Sequence, residues 1–163
     1  MDDHVELVLQ QWKRERPDVD VSPMAVIGRL SRVARRVDDR LAVNFARHGL
    51  DAASFDVLAT LRRSGSPFRL SPKDLTESAM VTSSAIAQRL NKMEAQGLVS
   101  RSPSTADGRG KQVQLTEDGR EMVDQILPSH LDAERGFLAA LTVDEQHLLA
   151  ALLAKLDRPQ MDT

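Results

Sequence analysis

The chain has 163 residues, a formal net charge of −2, 3% aromatic residues and no cysteine. That length suits one domain with helical extensions around an aliphatic core. Zero cysteine excludes disulfides, zinc–thiolate centres, thiol nucleophiles and thiol redox sensing, and no apolar run approaches the ~18 residues of a membrane span.

The start, Met1-Asp2-Asp3-His4, is acidic and lacks the basic stretch of a signal peptide, so a cytoplasmic location is expected. Asp2 and Asp3 can open a helix whose stripe is Val5, Val8, Leu9 and Trp12, ending before Pro17. Ser22-Pro23 is a start signal for a second helix that runs to about Arg47, with His48-Gly49 as its stop. A helix this long in a small protein suits a dimer arm or spine. Asp51 caps a third helix carrying Phe55, Leu58 and Leu61, which stops at Ser64-Gly65. A very short strand over 66–70 follows, and Ser71-Pro72 opens a short helix to about Ala79. The cluster Thr82-Ser83-Ser84 starts a helix through Gln96, ended by Gly97.

From Leu98 the period changes to that of strands. Residues 98–101 and 111–115 flank a tip rich in turn formers, Pro103 to Gly110. Thr116-Glu117 begins a long helix expected to kink at Pro128. Thr142 caps a last helix with the stripe Leu148, Leu149, Leu152, Leu153 and Leu156. The fold class expected is mainly α with a small β-wing. It comprises N-terminal helices (1–50), a winged helix-turn-helix domain (51–116) and C-terminal helices (117–163), the flanking helices serving dimerisation.

The small net charge hides a polarised chain: −3 over residues 1–28, +2 over 29–61, +5 over 62–116 and −6 over 117–163. The basic segment is the one that reads helix, turn, helix, hairpin. In such a unit the second helix fits the major groove and the hairpin reaches the backbone or minor groove. On the helix at 82–96, Ile86, Leu90 and Met93 point inward, leaving Ser84, Gln88, Asn91 and Lys92 on the opposite face. These side chains can bond base edges and phosphates. A merely solvated polar face would look similar, but the basic hairpin beside it favours DNA. Arg89 lies on the flank between the two faces. At the hairpin tip, Gly108 and Gly110 flank Arg109, which can enter a narrow, negative minor groove. The DNA-facing candidates are therefore Ser83, Ser84, Gln88, Asn91, Lys92 and Arg109.

Residues 52–123 resemble the MarR family of regulators. The resemblance is carried by Phe55-Asp56-Val57-Leu58-Ala59-Thr60-Leu61-Arg62, Leu70-Ser71-Pro72-Lys73-Asp74-Leu75, Gly97-Leu98-Val99, Asp107-Gly108-Arg109-Gly110 and Leu115-Thr116-Glu117-Asp118-Gly119-Arg120. It implies an obligate homodimer, held by the terminal helices, that binds a palindromic operator as double-stranded DNA, most often as a repressor. The extra N-terminal helix with its tryptophan, together with Val21-Ser22-Pro23-Met24 and Ile27-Gly28-Arg29-Leu30, resembles the urate-responsive branch of that family. By position, the ligand signature of that branch falls on Trp12, Asp56, Arg89 and Arg101. The resemblance implies that Trp12 and Arg101 hold the anionic purine, that its charge displaces Asp56, and that an Asp56–Arg89 pair passes the movement to the recognition helix. An indole and a guanidinium suit a planar monoanion, and an Asp–Arg pair is sensitive to a new neighbouring anion. A plain interface tryptophan and ordinary salt bridges are the alternatives for these residues. Another small anion, a polycarboxylate or phenolic acid, is the alternative effector.

Enzyme function finds little support, and neither a cofactor nor a metal is expected. His4, His48, His130 and His147 are scattered, and no phosphate loop, dinucleotide fingerprint or nucleophile elbow is present. A winged helix used only for protein–protein contact is the rival reading.

Overall fold

A computed structural model describes residues 3–80, 82–103 and 111–158, with the backbone alone of Ser83 and Ala85. The protein is mainly α-helical with one small antiparallel sheet, as expected. It divides into two compact units, Met1–Val43 and Asn44–Thr163.

In the first unit, α1 (His4–Glu15) begins where the Val5 N–H donates to the Asp3 carboxylate at 3.0 Å. Glu6 in its first turn and Lys13 and Arg14 in its last complement the helix dipole. α2 (Pro23–Ala46) carries Gly28, where a Cβ would lie only 3.2 Å from a methyl of buried Val5, so a hydrogen there lets the two helices close. Arg29 Nε donates to Asp3 Oδ2 at 2.8 Å and ties the start of α1 to α2.

The second unit begins with the last turn of α2. It contains α3 (Ala52–Arg63), β1 (Arg69–Leu70), α4 (Pro72–Ser78), α5 (Ser83–Ala95), β2 (Val99–Pro103), β3 (Lys111–Leu115), α6 (Glu117–Leu138) and α7 (Val143–Leu156). The sheet order is β1-β3-β2, all antiparallel, with Val99 opposite Leu115 and Leu70 opposite Val113. The core is aliphatic, as the shortage of aromatics demands: Val57, Leu58, Leu61, Leu75, Met93, Val113 and Ile126 are fully buried. Each such side chain contributes about 1.5–3 kcal/mol. A small aromatic cluster joins three helices: Phe45 stacks on Phe55 at 4.7 Å between ring centres, and His130 of α6 lies 4.9 Å from Phe55. Pro128, expected from the sequence to kink the helix, lies inside a single 22-residue element. Among the described residues no single helix is long and apolar enough to cross a membrane.

Candidate nucleic-acid interface and effector site

α5 is built as its period predicts. Ile86, Leu90 and Met93 are buried at 2%, 6% and 0% exposure, and Ser84, Gln88, Asn91 and Lys92 are exposed. Ser83 is the first residue of the helix. The N-cap, Thr82, makes no side-chain capping bond; its hydroxyl lies 3.2 Å from that of Ser84. Thr82 thus leaves the first-turn N–H groups open to another acceptor, and the field at a helix start favours an anion. At the other end Gly97 takes a positive φ of 73° and turns the chain into β2. Arg109, with the rest of the hairpin tip, lies outside the described residues.

Several cations of the basic segment are paired with acids, most of them on neighbouring elements outside it. Arg62 donates to Asp124 at 2.8 Å, Arg63 lies 3.9 Å from Asp56, and Lys73 lies 3.8 Å from Glu77. Arg69 on β1 and Lys111 on β3 are exposed and, among the described residues, make no ion pair. Neither cation is among the sequence candidates; their place on strands inside the +5 segment was the available signal.

The effector candidates divide between the units. Trp12, on α1, is 44% exposed. Asp56, on α3, accepts the Met80 N–H at 2.7 Å, so its carboxylate holds the turn that leads into α5. Arg101, on β2, donates from Nε to Glu94 at 2.8 Å, tying the wing strand back to α5. Arg89, expected beside Asp56, donates from Nε to Asp51 Oδ1 at 3.0 Å. Asp51 stands at the N-cap of α3, outside the helix proper, where its side chain is free to meet a flank residue of α5 as well as its own helix start. No cluster of three or more potential metal ligands occurs among the described residues.

Two carboxyls in this region are displaced from their ordinary values. The hydrogen bond from Arg101 holds Glu94 below the usual carboxylate range and outweighs a small opposing effect of burial. At Asp51 burial is the largest influence and pushes upward. The Ser54 N–H and the Arg89 guanidinium together overcome it, so the carboxyl is lowered. A carboxyl lowered on folding stabilises the fold above its unfolded value, about pH 4, and that stability is lost as pH falls through the folded value. The denaturant midpoint is therefore expected to drop between about pH 5 and about pH 3. Glu94→Gln should show a shallower drop; an identical profile would remove the Arg101–Glu94 pair from the account.

A sequence profile of the MarR family matches residues 48–110. Along most of its length the chain is similar to the HTH-type transcriptional regulator PecS of Dickeya dadantii, with 38% identity over 151 residues, 93% of this chain and 91% of that protein. The chain belongs to the MarR family. Its fold matches a variant of MarR from Escherichia coli solved in complex with operator DNA, at a TM-score of 0.75 and 27% identity, covering 86% of this chain and 100% of that one. It also matches BpsR of Bordetella bronchiseptica, whose DNA binding is regulated by 6-hydroxynicotinic acid, at a TM-score of 0.73 and 25% identity, covering 82% and 99%. The protein is thus a MarR-family, DNA-binding transcriptional regulator of the winged helix-turn-helix type.

Proposed function

We propose that this MarR-family protein is a homodimeric repressor, not an enzyme, that binds a palindromic operator and releases it on meeting a small planar anion, urate or a related purine. The observation that carries the DNA half of the reading is the two-sided character of α5. Ile86, Leu90 and Met93 anchor the helix in the core, and Ser84, Gln88, Asn91 and Lys92 face outward with no acid among them. In this reading α5 enters the major groove, with Ser83 and Ser84 at its phosphate-facing start, and Arg109 of the wing reaches the adjacent minor groove.

Dimerisation is supported by unpartnered apolar surface on the terminal helices. Nothing on α7 is buried, and Leu148, Leu152 and Leu156 are 60%, 47% and 61% exposed. A stripe of this kind needs a partner, and a second copy supplies the two-fold symmetry a palindrome requires. The N-terminal helices (1–50) and C-terminal helices (117–163) form the dimer and effector scaffold, acting with the DNA in the cytoplasm.

For the effector, Trp12 supplies an aromatic face and Arg101 a guanidinium, with Asp56 as the charge to be displaced. Because Asp56 holds the Met80 N–H, its displacement reaches α5 from the preceding turn. Arg89 then answers to Asp51 and not to the effector directly. BpsR, with its hydroxynicotinate, favours the wider reading that a small aromatic acid fills the same role. The test is release of the protein's own upstream DNA in a gel shift, with urate, xanthine, 6-hydroxynicotinic acid and citrate as effectors. Urate should release the wild type, and Trp12→Phe or Arg101→Ala should need about tenfold more. Release by another of the four alone reassigns the effector, and indifference to all of them contradicts the ligand-responsive reading.

A further inference from the structure

Asp51 is engaged from two sides. Its Oδ1 accepts the Ser54 N–H at 2.9 Å, which pins the carboxylate to the start of α3. The same carboxylate faces both cations of α5: Arg89 Nε donates to Oδ1 at 3.0 Å, and Lys92 Nζ lies 3.9 Å from Oδ2. The two contacts differ in kind. The Arg89 side chain is 32% exposed and directly bonded, whereas that of Lys92 is 48% exposed and only within ion-pair reach. Arg89 is therefore held, and Lys92 is free to leave for a stronger anion. Lys92 shares its exposed face with Gln88 and Asn91, the side chains suited to base edges.

A fixed carboxylate beside a helix's cations offers what a DNA phosphate offers, negative oxygens as acceptors. We propose that Asp51 is a built-in competitor of the DNA backbone: it positions Arg89 and holds Lys92 back from phosphate. α5 then meets arbitrary DNA one cation short, and only a duplex whose base edges dock Gln88 and Asn91 brings a phosphate close enough to draw Lys92 away. The carboxylate raises selectivity by weakening the sequence-independent term more than the specific one. This inference rests on the reading of α5 as the DNA-facing helix.

Asp51→Asn tests it, because asparagine caps a helix start as well as aspartate does and removes only the charge. Binding is followed by fluorescence anisotropy over a salt series, on an arbitrary duplex and on the protein's own upstream DNA, with thermal melting confirming the fold. The variant should bind the arbitrary duplex about three- to fivefold more tightly, with a log–log salt slope steeper by about one. Its preference for upstream DNA should fall, and adding Lys92→Ala should abolish the gain. An Asp51→Asn variant that binds arbitrary DNA no tighter, with an unchanged slope, overturns the inference. Lys92→Ala alone separates the two readings. If it weakens binding while Asp51→Asn does nothing, only the competitor role fails; if it too leaves binding unchanged, the assignment of α5 fails and the inference with it.

Discussion

Gly119→Ala is expected to destabilise the second unit more severely than the same change at Gly49, Gly65 or Gly97. A Cβ at Gly119 would lie 2.1 Å from the Leu98 carbonyl oxygen, 3.0 Å from its carbon and 2.9 Å from a Leu115 methyl. The nearest obstacle is backbone, at the point where the chain leaves α5 and enters the wing, so it cannot swing aside as a side chain would. The Thr116 N–H donates to that same Leu98 oxygen at 3.1 Å, and the Gly119 N–H donates to the Thr116 hydroxyl at 3.0 Å. Relief of the clash must therefore break the cap of α6 or the end of the β2–β3 ladder. Overpacking against such a site costs about 3 kcal/mol or more, which is a fall in Tm of about 6–12 °C for a chain of this size. Gly97→Ala is the instructive comparison. Nothing lies within 4 Å of a Cβ there, and the only difficulty is its positive φ of 73°, worth about 1 kcal/mol. Thermal melts of the two variants should separate clearly; equal shifts would mean that the α6 start does not press on the α5–β2 turn.

Leu148→Glu with Leu152→Glu is expected to have the largest effect on DNA binding of any change far from the DNA-facing surface. The two residues lie one helical turn apart on α7 and are exposed apolar side chains, at 60% and 47%. Removing them should leave the core intact, since α7 buries nothing within the chain. If the stripe is the partner-binding face, four carboxylates brought together across a two-fold axis prevent association. Sedimentation should then show a monomer. Loss of the second half-site contact lowers operator affinity by about a hundredfold or more, the usual effect of losing a tethered second binding event. A variant that still sediments as a dimer moves the interface elsewhere, to the exposed apolar surface of α2 or of the middle of α6 at Leu127 and Leu131.

How much of this was legible in the sequence depends on the distance over which each interaction acts. Helix boundaries were legible because their signals are local. Gly49, Gly65 and Gly97 each take the positive φ expected of a helix stop, and Asp51, Ser71, Thr116 and Thr142 each accept a first-turn N–H. The inward and outward faces of α5 were legible for the same reason, as a 3.6-residue period needs no partner to be read. The ion pairs were not. Periodicity places Arg89 on a flank and says nothing about which acid meets it. Asp51 and Asp56 are only five residues apart, and the deciding fact is that an N-cap side chain lies off the helix surface. The Arg101–Glu94 pair escaped notice because it links a strand to the helix before it across a tight turn. Gly119 stood in plain view within Leu115-Thr116-Glu117-Asp118-Gly119-Arg120, but the backbone it must avoid belongs to Leu98, about twenty residues upstream.

The central claim is that a chain with a net charge of −2 is a sequence-selective DNA-binding regulator, because its positive charge is concentrated in residues 62–116, which carry +5 and include α5 and the β2–β3 strands. The direct measurement is equilibrium binding of the purified protein to duplex from its own upstream region and to a scrambled duplex of the same length, from about 50 to about 200 mM salt. The account predicts at least about 10³-fold preference for the upstream duplex at physiological salt, with affinity falling linearly on a log–log plot as salt rises. Equal binding to both duplexes, or none to either at physiological salt, would contradict it.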